Sequence, residues 1–91
     1  MGNDQVVMLA THTFRPEGSC ICICQPGTGS EVLLTGLARR VWEAVSGRRD
    51  ISVGELCDLL GGGGADPEET RAVLEYLGNL RLLEVGDAPA W

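Results

Sequence analysis

Glu31-Val32-Leu33-Leu34-Thr35-Gly36-Leu37-Ala38-Arg39-Arg40-Val41-Trp42-Glu43-Ala44-Val45 is the stretch in which the chain changes its period. Its first four residues form a short run of strand character after the turn residues 26–30. From Thr35 onward, Leu37, Val41, Ala44 and Val45 recur at helical spacing, with Arg39, Arg40 and Glu43 between them. Thr35 is placed to cap that helix and Gly47 to end it. Strands are therefore expected before this stretch and helices after it.

Upstream, residues 5–14 are rich in apolar and β-branched types and are followed by Pro16, Glu17 and Gly18, which are turn residues. Residues 19–25, Ser-Cys-Ile-Cys-Ile-Cys-Gln, alternate, placing Ile21 and Ile23 on one face and Cys20, Cys22 and Cys24 on the other. With residues 31–34, these segments predict a three-strand meander over 5–34. Downstream, Ser52 and Glu55 form a capping box, with Ile51 and Leu56 in staple positions. Val53, Leu56, Cys57 and Leu60 make that helix's buried stripe, and the glycines at 61–64 release the chain into a loop. Asp66 as cap, Pro67 at the first helical position and Glu69 three after the cap open a third helix. Its core face is expected at Val73, Tyr76, Leu77 and Leu80, with a short turn or strand over 82–85 and a tail at 86–91. The expected fold is α+β and winged-helix-like, a three-stranded antiparallel sheet followed by three helices. It occupies a single domain, 1–91, divided into the 5–34 meander, a 35–85 helical region and the tail.

With 91 residues and 44% apolar content, the chain has room for one core and no second lobe. Large catalytic clefts sit between domains or at the mouths of larger folds, so a complete active site is not expected. The net charge of −6, with arginine supplying all seven basic residues, opposes a nucleic-acid backbone. Apolar stretches such as 5–10 and 31–37 fall well short of the roughly 20 residues needed to cross a bilayer. The N-terminus lacks a basic region followed by an apolar one, so a soluble, cytoplasmic protein without membrane association is expected. The four cysteines are then expected as reduced thiols.

The stretch Leu34-Thr35-Gly36-Leu37-Ala38-Arg39-Arg40-Val41-Trp42-Glu43 resembles the signature that opens the first helix of PqqD-like proteins, the RiPP precursor peptide recognition elements. There, a leucine and a small polar residue precede an alanine and an Ile-Trp-like pair. Gly47 and then Ile51-Ser52-Val53-Gly54-Glu55-Leu56 resemble the family's glycine turn and capped second helix. Asp66-Pro67-Glu68, followed by Tyr76-Leu77 and Leu80, resembles its third. The resemblance covers about residues 20–85. It implies a non-catalytic module that binds the leader segment of a ribosomally made precursor peptide. The leader adds as an extra strand beside the third strand, in a groove bounded by the third helix, and is presented to a maturation enzyme such as a protease or cyclase. Physically this is β-augmentation: backbone hydrogen bonds supply strength and side-chain pockets supply selectivity.

The candidate peptide-binding residues are Glu31, Val32, Leu33 and Leu34 on the edge strand, and Arg71, Leu74, Glu75 and Gly78 as a stripe beside the third helix's core face. A short edge strand leaves unpaired backbone groups that are either protected or used. Gly78, inside a helix, costs about 1 kcal/mol relative to alanine, and close approach of another backbone is one reason to tolerate it.

No cofactor, metal or catalytic set is expected. Cys20, Cys22 and Cys24 lack the two-residue knuckle spacing of zinc sites, and His12 is the only histidine. Trp42 is expected as a core anchor, and Arg39, Arg40, Arg48 and Arg49 as a solvated face or a dock for an acidic partner. Two rival readings are a winged-helix DNA-binding regulator and a cysteine-based metal-binding protein. The first is opposed by the acidic opening of the third helix, Asp66-Pro67-Glu68-Glu69.

Overall fold

The alternating Cys-Ile-Cys-Ile-Cys segment forms the central strand of one of two small antiparallel sheets in the computed structural model, which describes residues 2–10, 14–25, 27–48 and 51–87. The elements are β1 (Val6–Leu9), β2 (Phe14–Glu17), β3 (Cys20–Cys24), β4 (Glu31–Leu34), α1 (Gly36–Ser46), β5 (Ile51–Ser52), α2 (Val53–Gly61), α3 (Pro67–Asn79) and β6 (Leu83–Gly86). Strands β2, β3 and β4 make the meander, and β5, β1 and β6 make a second sheet in that spatial order.

The expectation of one three-strand sheet over 5–34 is thereby corrected. The segment 5–14 is divided between the two sheets, and β1 pairs with β5 and β6, not with the cysteine strand. Val6 and Val7 are consecutive and both buried, which requires cover on both faces of β1 and suits the centre of a sheet. The two residues of β5 were expected only as the approach to a helix. The expected turn at Pro16 and Glu17 is also moved, because both lie in β2 and the reversal falls on Gly18 and Ser19. Gly18 has a φ of 60°, a left-handed conformation that favours glycine.

The alternation in β3 sorts the side chains as expected. Register rows Phe14–Ile23–Val32 and Pro16–Ile21–Leu34 lie on the inner face, and Arg15–Cys22–Leu33 lies on the outer one. Ile21, Ile23 and Leu34 join the core, where full burial of such a side chain stabilises by about 1.5–3 kcal/mol. Trp42 is completely buried and meets Phe14 edge-on at 5.5 Å between ring centres, the core anchor expected.

Local signals place the helices accurately. The Ser52 hydroxyl accepts from the Glu55 amide at 3.1 Å, and the Asp66 carboxylate accepts from the Glu68 amide at 2.8 Å. Thr35 occupies the cap position of α1 with extended backbone, but its side chain makes no capping bond. The buried stripe of α2 is Val53, Leu56, Cys57 and Leu60, as the spacing predicts. On α3 the buried residues are Thr70, Leu74 and Leu77, and Tyr76 is exposed. The expected core face is corrected: α3 is rotated so that Leu74, not Tyr76, turns inward. α3 packs against α1, α2 and β6 together, and these three neighbours define its inner face, which Leu77 centres and against which Val73 and Leu80 also pack.

The N-terminal segment is stitched to α2, since the Val53 amide donates to the Gln5 carbonyl at 2.8 Å and the Gly54 amide to Asn3 at 3.0 Å. One core cluster takes residues from both sheets and all three helices. No described helix is long and apolar enough to cross a membrane.

Candidate functional site

The site starts from the edge of the meander. β4 pairs with β3 through Leu34–Ile21, Leu33–Cys22, Val32–Ile23 and Glu31–Cys24, and no described strand pairs with its other side. Strand alternation divides its side chains as its sequence requires. Leu34 is buried in the core, Val32 is half-buried against it, and Leu33 stands 61% exposed on the outer face. Glu31 is exposed, and Arg15 lies 3.8 Å from its carboxylate.

The other two edge strands of comparable length, β2 and β6, are managed differently. β2 contains Pro16, which has no amide hydrogen, and carries Arg15 and Glu17 in an ion pair at 2.8 Å. Proline and charge are the usual means of blunting an edge strand. β6 lies beside α3, where a Cβ added to Gly78 would stand 3.9 Å from the Leu83 carbonyl oxygen. β4 has no proline, and its one charged residue, Glu31, stands at its first position.

The second half of the expected site is rearranged. Leu74 is fully buried and belongs to the core, so its placement on an accessible stripe is corrected. Arg71 donates to the side chain of Asn3, holding the N-terminal segment. Gly78 faces β6. The stripe of Arg71, Glu75 and Gly78 therefore looks toward the second sheet and not toward β4, with Glu75 exposed between the other two. The close backbone approach expected at Gly78 is not found: a Cβ there would meet its nearest neighbour, the Leu83 carbonyl oxygen, at an ordinary van der Waals distance.

The opposite flank of α3 carries Val73, Tyr76 and Leu80, all apolar or aromatic, and Tyr76 is 55% exposed. Gln25, at the end of β3, donates through its side chain to the Leu80 carbonyl at 3.1 Å. That bond ties the β3–β4 hairpin to the end of α3. Val73 and Leu80 are half-buried against the same core as Val32. Reading the helix in the wrong rotational phase hid this flank, although its spacing was visible in the sequence.

The outer face of the meander holds Cys20, Cys22 and Cys24 as free thiols, with Cys22 buried. Burial pushes the Cys22 thiol up, and its bond to Glu31 adds to this, while Arg15 opposes it. A thiol held protonated is a poor nucleophile and a poor metal ligand. Among the described residues, no group of three or more His, Cys, Asp or Glu is arranged to hold a metal ion. His12 lies outside the described residues.

The expected basic cluster is partly committed to structure. Arg39 pairs with Glu43 at 3.0 Å, and Arg40 donates to the Leu60 carbonyl at 3.3 Å. Arg48 is exposed and lines an open cleft of about 650 Å³ with Met8, Leu9, Phe14 and the end of α1. Sequence reading missed this cleft because its walls come from three separate elements. Compared with known proteins, the chain matches no family model, no curated protein and no solved structure.

Proposed function

We propose that the chain is a non-catalytic binding module that captures the leader segment of a ribosomally synthesised precursor peptide by strand addition to β4 and presents it to a maturation enzyme. The observation that carries this reading is the outer edge of β4, which no described strand covers and no proline interrupts. An added strand would place alternate side chains beside Val32 and Leu33. The apolar flank of α3, Val73, Tyr76 and Leu80, is the surface best suited to border that strand.

The winged-helix-like reading is supported by the order α1, β5, α2, α3, β6, with β5 and β6 on either side of β1. Binding of peptide is favoured over DNA because exposed Glu68, Glu69 and Glu75 lie on α3, while Arg71 is held by Asn3.

The test uses a synthetic leader from a precursor peptide encoded beside this chain. Titration should give one-to-one binding, and mass spectrometry should show the leader unchanged. Tyr76→Ala and Leu33→Glu should each weaken binding about 10-fold or more while circular dichroism stays unchanged. Wild-type affinity in both variants would remove β4 and α3 from the site.

A further inference from the structure

We infer that the β4 edge also pairs with β4 of a second copy of this chain, in a two-fold antiparallel arrangement centred on Leu33. A two-fold axis perpendicular to the sheet keeps inner side chains opposite inner ones only if the axis passes through a residue and not between two. Centred on Leu33, this register sets Leu33 against Leu33, Val32 against Leu34, and Glu31 against Thr35. Thr35 has φ −130° and ψ 165°, so extended backbone continues past Leu34 and can complete the last of these pairs. No like charges meet, and Leu33, 61% exposed in the single copy, is covered by its own equivalent.

The arrangement closes on itself. The pair forms a continuous sheet whose two outer edges are both β2, where Pro16 lacks an amide donor and Arg15 and Glu17 carry charge. Growth therefore stops at two copies. The pairing rests on one four-residue strand from each copy, so the dimer is weak and exchangeable. Its role is to cover the edge until a peptide occupies it.

Sedimentation equilibrium from about 10 µM to 1 mM reads this directly. Wild type should pass from monomer toward dimer and no further. Leu33→Lys sets two ammonium groups face to face and should weaken association about 10-fold or more. Thr35→Glu, at a position whose hydroxyl makes no capping bond, sets a carboxylate against the other copy's Glu31 and should weaken it too. Adding Glu31→Lys to Thr35→Glu should restore it, since each carboxylate then faces an ammonium.

A wild type that stays monomeric to about 1 mM overturns the inference. So does a Leu33→Lys variant that associates like wild type, or a charge exchange that restores nothing. The peptide-binding reading fails separately: a monomeric chain that binds leader loses only self-pairing, and a dimerising chain that binds none keeps it.

Discussion

Leu74 and Tyr76 are two residues apart on one helix, and their surroundings differ completely. Leu74 is fully buried and Tyr76 is 55% exposed. Leu74→Ala should destabilise the chain by about 2.5–5 kcal/mol, because it removes buried methyl groups and leaves a cavity. Tyr76→Ala should cost less than about 1 kcal/mol. Urea denaturation of the two variants checks the rotation of α3, and a larger loss at Tyr76 would contradict it. Cys22 supplies a second residue-scale prediction. Its thiol is raised by burial, so the folded state holds the proton more tightly than the unfolded state does. The resulting stabilisation is present below the ordinary thiol pKa of about 8.5 and is lost as pH rises through the folded value. Stability of the wild type should therefore fall more steeply above about pH 8.5 than that of Cys22→Ala, measured by denaturant midpoint against pH.

Among the elements, the helix starts were legible because capping is local chemistry. Ser52→Ala and Asp66→Ala should each cost about 1 kcal/mol, whereas Thr35→Ala, whose hydroxyl makes no capping bond, should cost much less. Thermal denaturation of the three variants distinguishes these outcomes. The faces of β3 were equally legible, since alternation assigns Ile21 and Ile23 to one side without knowledge of any partner. Strand partners were not legible. Val6 pairs with Ser52 and with Gly86, residues far away in sequence, and nothing in the Val-Val-Met-Leu segment specifies either one. The phase of α3 failed for the same reason. Leu77 is buried and Val73 and Leu80 pack against the core as their spacing suggests, but Thr70 and Leu74 are buried where Tyr76 was expected. The strand at 31–34 was legible because it depends on one short segment, and the burial of Leu74 was not because it depends on packing between distant ones.

For the whole molecule, the edge strands among the described residues are β2, β4, β5 and β6, and they differ in how far they can accept another strand. The central strand β1 is paired on both sides, β2 is interrupted by Pro16, β6 lies beside α3, and β4 has an unpaired edge without proline among the described residues. The net charge of −6 and the exposed Glu68, Glu69 and Glu75 of α3 are the observations behind the proposed preference for a peptide over a nucleic acid. The proposed function turns on what β4 does when a peptide is present. Hydrogen exchange of the wild-type chain, kept at a few µM so that it is monomeric, with and without the synthetic leader, measures this most directly. The account predicts that amides within 31–35 slow by about 10-fold or more on binding while those of β6, at 83–86, stay unchanged. Leader binding with no added protection at 31–35, or with protection at 83–86 instead, would contradict it.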